Sequence, residues 1–141
     1  MKYKFPIVKL NVDGLFGPTL KKAFYKPMTY HNKTAKFSKH KTKWTLKQNE
    51  QYEVFRLSNE NEWACTKNGG LFSILSNADV VIGSNEERLS FFPNPVNSKD
   101  PWHGFPVNSG NYEPSVELVD KWLDDKVIDE RIHIKILKCQ L

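Results

Sequence analysis

The feature that most constrains the fold of this chain is a turn signal, Asn-Gly-Gly at residues 68–70, set between two short apolar runs. Residues 63–65 precede the turn and residues 71–75 follow it. Asn and Gly both tolerate the positive φ that tight hairpin turns require, so the pattern predicts an antiparallel hairpin. Further apolar runs at residues 52–57 and 80–82 predict that the hairpin belongs to a larger meander.

A helix signal follows toward the C-terminal end of the sequence. Apolar residues recur at helical spacing through residues 116–127, and Pro114 suits the first turn of a helix. Residues 131–136 alternate isoleucine with polar side chains, which predicts a final strand. A second helix is the alternative there, because Ile132 and Ile136 also fall on one helical face.

Three other segments complete the expected fold. Residues 3–12 predict an opening strand and residues 19–26 a short helix. Residues 91–111, the proline-rich segment, hold four prolines and two glycines, which argue against a helix or a central strand and predict a long irregular loop. The predicted fold class is α+β, an antiparallel β-meander of about five or six strands with one clear C-terminal amphipathic helix, forming a single domain over residues 1–141.

The charges of the chain are distributed unevenly. Residues 1–49 contain twelve lysines and one acid, Asp13, for a net charge of +11, whereas residues 50–141 carry a net charge of −6. No acidic residue occurs between Asp13 and Glu50. A basic N-terminal third of this kind is typical of proteins that bind polyanions. The alternatives are that the lysines are simply solvated or that they pair with the acidic remainder.

The basic segment has the residue types of a nucleic-acid surface. Lysines neutralise phosphates, and exposed aromatic rings stack on unpaired bases. None of the cations here is arginine, the residue that base readout favours, so we expect contact with the phosphate backbone of RNA or DNA and weak sequence specificity. The expected contact residues are Lys21, Lys22, Lys26, Lys33, Lys36, Lys39, Lys41, Lys43 and Lys47, with Tyr30, Phe37 and Trp44 as stacking rings.

The proline-rich segment contains a second candidate site at His103. An imidazole titrates near neutral pH, and a nearby carboxylate such as Asp100 can orient it for general acid or base catalysis. Alternatively, Asp100, Trp102 and Phe105 form a loop that engages a protein partner, or the rings simply fold onto the core.

Two further histidines, His31 and His40, lie among the lysines of the basic segment. Histidine with nearby lysine supplies the base, the acid and the cation that a metal-independent ribonuclease needs. They are therefore candidate catalytic residues together with His103.

We expect neither a metal site nor a cofactor. Two cysteines and four dispersed histidines form no closely spaced ligand pair, and no phosphate-cradling glycine loop is present. No apolar run is long enough to span a membrane, and lysines interrupt the N-terminal residues before a signal sequence can form. The expectation is a cytoplasmic protein with both thiols free.

The leading hypothesis is a small intracellular nucleic-acid-associated protein that contacts phosphate through its lysine- and aromatic-rich segment. A protein-interaction module of the immunity, antitoxin or adaptor type is one alternative. A small metal-independent nuclease is the other, so the sequence leaves open whether the protein is an enzyme.

Overall fold

The computed structural model describes residues 3–27 and 43–141. The described residues contain three helices and four strands, which confirms the α+β class; the predicted five or six strands are not confirmed. The strands form one antiparallel sheet in the order β1-β2-β3-β4. In chain order the elements are α1 (Gln48–Glu60), β1 (Ala64–Cys65), β2 (Gly70–Ile74), β3 (Leu89–Pro93), β4 (Phe105–Val107), α2 (Val116–Asp124) and α3 (Glu130–Leu137).

The predicted hairpin is confirmed, but its turn spans residues 66–69, and neither Asn68 nor Gly69 has the positive φ on which the prediction was based. Strand β1 pairs with β2 in antiparallel register, with Ala64 opposite Leu71 and Cys65 opposite Gly70. A Cβ atom at Gly70 would lie 2.4 Å from the carbonyl oxygen of Phe92, so only glycine lets β2 and β3 approach this closely here.

Both faces of the sheet are covered, and every residue of β2 is therefore buried. Phe72 and Ile74 point into a cluster shared with α2 and α3, whereas Leu71 and Leu75 point into a second cluster shared with α1. The predicted amphipathic helix is confirmed as α2, which buries Trp122 completely.

Residues 52–57 lie in helix α1, so the predicted strand is wrong. The helix begins after Lys47, whose backbone N–H donates to Glu50 Oε1 at 2.8 Å. The Gln51 N–H donates to the Lys47 carbonyl, four residues earlier, at 2.9 Å, which is the hydrogen-bond pattern of an α-helix. The apolar run alone is too short to distinguish a helical period from that of a strand.

Residues 131–136 form helix α3, so the predicted final strand is also wrong and the helical alternative is right. Asp129 begins the helix by accepting a hydrogen bond from the Ile132 N–H at 2.9 Å. Ile132 and Ile136 are buried while Ile134 is 50% exposed, which is helical spacing; a strand would place all three on one face.

The proline-rich segment is not irregular throughout. Strand β3 lies between β2 and β4 and is a central strand, contrary to prediction. Pro93 ends β3 beyond the residues that pair with β4, and Pro106 lies on β4, the edge strand. Neither proline therefore interrupts hydrogen bonding on both sides of a strand.

The remaining predicted elements are absent from the described structure. Residues 3–12 form no strand and residues 19–26 form no helix. Residues 80–82 form no strand either, although Gly83 beside them makes an isolated bridge with Trp44. Both cysteine thiols are free.

Candidate phosphate-binding cleft

A tight turn over residues 19–22 presents two lysines of the basic segment. Phe16 and Tyr25 exchange both of their backbone hydrogen bonds, each 2.9 Å long, and thereby close a small antiparallel ribbon around the turn. Lys22 adopts a left-handed conformation with a φ of 62°. The turn leaves Lys21 and Lys22 exposed.

The C-terminal end of α1 holds this turn in place. The Thr19 hydroxyl donates to Asn59 Oδ1 at 2.6 Å, and the Leu20 N–H donates to Glu60 Oε2 at 2.9 Å. Thr19 is only 5% exposed, so the first of these hydrogen bonds is shielded from water. The carbonyl end of a helix carries a partial negative charge, which favours lysines beside it.

The proline-rich segment lies directly alongside the turn. The Trp102 N–H donates to the Phe24 carbonyl at 2.8 Å, and the Trp102 carbonyl accepts from the Lys26 N–H at 2.8 Å. A Cβ atom at Gly104 would lie 2.2 Å from Phe92 Cδ1, so glycine lets the segment lie against the core. Backbone hydrogen bonds therefore join the two regions that the sequence singles out separately.

A cleft of about 460 Å³ opens between the turn and the proline-rich segment, and we call it the lysine cleft. Its two aromatic residues, Phe24 and Trp102, are half-buried. Three cations and one carboxylate line it. The lining residues are Lys21, Lys22, Ala23, Phe24, Asn59, Ser98, Lys99, Asp100 and Trp102.

The cations of the lysine cleft are weakly paired. Lys21 Nζ lies 3.1 Å from Glu62 Oε1, and the hydrogen bond and charge of Lys21 lower the pKa of Glu62. Both side chains are exposed, so this pair is screened by salt and another anion can compete for Lys21. Within the described residues, Lys22 and Lys99 form no ion pair.

Four other predicted contact residues are described by the structure and do not line the cleft. Lys26 and Lys47 are exposed and Lys43 is half-buried. Trp44 is 1% exposed, donates from Nε1 to the Gly104 carbonyl at 3.2 Å and stacks on Phe92, so its ring belongs to the core and is not available to a base. The predicted residues Tyr30, His31, Lys33, Lys36, Phe37, Lys39, His40 and Lys41 lie outside the described residues.

Within the described residues, no hydrogen bond joins His103 to Asp100, the carboxylate predicted to orient it. Asp100 Oδ2 accepts a hydrogen bond from Asn97 Nδ2 at 3.2 Å instead of orienting His103. His103 Nδ1 is buried without a hydrogen-bond partner among the described residues. Phe105 packs beside Tyr112 in the other core cluster, so it does not share a surface with Trp102.

Sequence reasoning missed several members of the charged sites. Lys99 carried no signal of its own, although it adjoins Asp100 in the proline-rich segment. His133 Nε2 lies 2.8 Å from Asp120 Oδ1 between α3 and α2, a pairing that depends on helix packing. In the part of the chain that the structure describes, no group of three or more potential metal ligands occurs, and no helix is long and apolar enough to cross a membrane.

Comparisons with protein-family models, with curated proteins and with solved structures found no match to this chain.

Proposed function

We propose that this protein binds single-stranded RNA or DNA through the lysine cleft, by contacts to the phosphate backbone. The observation that supports the proposal is the convergence of Lys21 and Lys22 with Lys99 on a cleft that the half-buried Trp102 also lines. Lysines contribute phosphate contacts, and an aromatic ring contributes stacking on a base without sequence preference.

The indole of Trp102 has a fixed position for this role. Its ring lies 5.6 Å from that of buried Phe55, which supports one side of it, while the residue as a whole stays half-buried. A flexible exposed ring would lose more side-chain entropy on binding than one already held in place.

The test measures binding of a fluorescein-labelled single-stranded oligonucleotide by fluorescence anisotropy. If all three lysines contact phosphate, Kd should rise about 20-fold between roughly 50 and 200 mM salt from those contacts. The triple variant Lys21→Gln/Lys22→Gln/Lys99→Gln should lose this part of the salt dependence.

A charge-matched control separates the cleft from net charge. The triple variant Lys67→Gln/Lys126→Gln/Lys138→Gln removes three exposed lysines that do not line the cleft. It should bind nearly as the wild type does. Equal losses in both triple variants would contradict the proposal, as would the absence of binding at low salt.

Intrinsic fluorescence gives a second readout of the same contact. Of the four tryptophans, Trp44, Trp63 and Trp122 are at most 5% exposed, so Trp102 is the one that a bound base can reach. Stacking on Trp102 should quench the emission as oligonucleotide is added. A protein partner that binds the same loop would change the emission without any oligonucleotide.

A further inference from the structure

Two of the three arginines of this chain line one pocket. Only three occur in the sequence, against eighteen lysines. Arg56 is committed to Glu53 and Glu60 through charged hydrogen bonds of 2.6 to 2.9 Å. The other two, Arg88 and Arg131, line the same pocket.

This pocket, here called the arginine pocket, has a volume of about 220 Å³. Arg88 directly precedes β3, while Arg131 and Lys135 lie one turn apart on α3 and therefore on the same helical face. Ile132 and Leu141 contribute apolar lining. The pocket lies on the side of the sheet that α2 and α3 cover, whereas the lysine cleft lies on the side of α1.

An unusual turn between β2 and β3 holds one of the arginines. Ser76, Asn77 and Ala78 have successive φ angles of 47°, 57° and 65°, a left-handed conformation that non-glycine residues rarely adopt. The Ala78 carbonyl in this turn accepts a hydrogen bond from Arg88 Nη1 at 2.6 Å. The guanidinium is thus fixed through one nitrogen.

The same turn is fastened to the beginning of α3. Asn77 Nδ2 donates to Asp129 Oδ2 at 3.0 Å, and Asn77 Oδ1 accepts from the Asp129 N–H at 2.8 Å. The hydrogen bond from the Ile132 N–H, that from Asn77 and the charge of Arg131 lower the pKa of Asp129. Asp129 therefore accepts hydrogen bonds from the Ile132 N–H and from Asn77. Because the turn that contains Asn77 also holds Arg88, these hydrogen bonds connect Arg88 to the beginning of α3.

The pocket has an excess of positive charge. Among the described residues, Arg88, Arg131 and Lys135 form no ion pair, and Asp79 is the one acidic side chain that lines the pocket with them. Arginine presents a planar fork of donors that matches the oxygens of a phosphate, whereas lysine acts as a point charge. Two arginines and a lysine around a small cavity are suited to a tetrahedral dianion.

We propose that the arginine pocket binds the phosphate group of a small phosphomonoester or inorganic phosphate. The volume is below the range of about 300–1,000 Å³ that is usual for drug-sized ligands, so a phosphate with few attached atoms fits better than a nucleotide chain. Arg131 and Lys135 approach the anion from α3, and Arg88 approaches it from the sheet.

Isothermal titration calorimetry on the full chain tests this proposal, with inorganic phosphate and ribose 5-phosphate as separate ligands at constant ionic strength. Saturable binding of at least one of the two at one site is expected, and their relative affinities distinguish a free anion from a monoester. No saturable binding of either ligand at millimolar concentration would overturn the proposal.

Variants on the exposed side of α3 assign the site without disturbing the Arg88 hydrogen bond. Arg131→Gln/Lys135→Gln should weaken phosphate binding at least tenfold, and Arg131→Lys should weaken it several-fold because the donor fork is lost. The control Lys126→Gln/Lys138→Gln, which removes the same charge elsewhere, should bind as the wild type does. Equal weakening in the control and in the α3 variant would overturn the assignment.

Discussion

The lysine cleft and the arginine pocket are both cationic, but different parts of the fold hold their side chains. The cleft is formed by two irregular segments that a few hydrogen bonds attach to each other and to the end of α1. The pocket is formed by residues of α3, the residue before β3 and a strained turn between strands. The first arrangement suits a long flexible polyanion, and the second suits one small anion held from several sides.

The largest expected effect comes from the packing beneath the lysine cleft. Phe55 is fully buried, and its ring lies 5.3 Å from Phe92, 5.5 Å from Tyr25 and 5.6 Å from Trp102. We expect Phe55→Ala to lower the free energy of unfolding by about 3–5 kcal/mol, because a large cavity replaces the ring. Urea denaturation followed by tryptophan fluorescence measures the loss.

Two further variants sharpen this prediction. Ile134→Ala, at a position that is 50% exposed on α3, should change the stability by less than about 1 kcal/mol. Phe55→Leu should cost less than Phe55→Ala because it leaves a smaller cavity, and it is the variant to use if Phe55→Ala does not fold. If folded Phe55→Leu keeps phosphate binding but loses oligonucleotide binding, the two sites are independent; a parallel loss of both would contradict that separation.

A smaller effect is expected where the turn is attached to α1. Thr19→Val removes the hydroxyl that donates to Asn59 and that accepts from the Ala23 N–H, so it leaves a buried amide oxygen without that donor. We expect a loss of about 1–3 kcal/mol in the free energy of unfolding. Oligonucleotide affinity should fall as well, because Lys21 and Lys22 lose their fixed position.

Thr66→Val is the matched control for this substitution. The Thr66 hydroxyl donates to Glu117 Oε2 at 3.3 Å on an exposed surface, so its removal should cost less than about 0.5 kcal/mol. A Thr19→Val loss as small as that of Thr66→Val would show that the turn is not anchored through Asn59.

The sequence predicted the hairpin and α2 because both depend on local patterns, two short apolar runs separated by a turn and a helical apolar period. The turn itself differs from the expectation, since Asn68 and Gly69 do not adopt positive φ. The prediction failed at residues 52–57 and 131–136, where a short apolar run is compatible with either period and tertiary packing decides. The prediction for the proline-rich segment failed for a different reason. A proline cannot donate a backbone hydrogen bond, but on an edge strand such as β4 this loss is tolerated, and the sequence does not show which strand lies at the edge.

The candidate sites show the same division between local and long-range information. The residue types of the cleft, with Lys21, Lys22 and Trp102 among them, were predictable from charge and aromatic content. Their convergence with Lys99 depends on backbone hydrogen bonds between segments about eighty residues apart, which no local pattern encodes. The arginine pocket was missed entirely, since Arg88 and Arg131 lie more than forty residues apart in the acidic part of the chain and only the fold brings them together.

The smallest expected effect concerns the strained turn of the arginine pocket. Ser76 is exposed and has a φ of 47°, a conformation that costs a non-glycine residue about 1–2 kcal/mol. Ser76→Gly removes that strain. The greater conformational entropy that glycine loses on folding offsets about 0.5–1 kcal/mol of the gain, so the free energy of unfolding should rise by about 0.5–1 kcal/mol. Urea denaturation measures this change.

The sign of the change in unfolding free energy distinguishes a strained serine from an unstrained serine in a loop. Ser98, on the rim of the lysine cleft, is also exposed, but its φ is not positive. Ser98→Gly should therefore lower the stability by about 0.4–1 kcal/mol, since glycine gains freedom in the unfolded chain without relieving strain. Stability changes of opposite sign at these two serines would mean that the turn of the arginine pocket is strained while the cleft rim is not. Equal losses of stability would contradict the left-handed turn.

Phosphate binding should be unchanged in Ser76→Gly, because the Ala78 carbonyl that holds Arg88 remains in place.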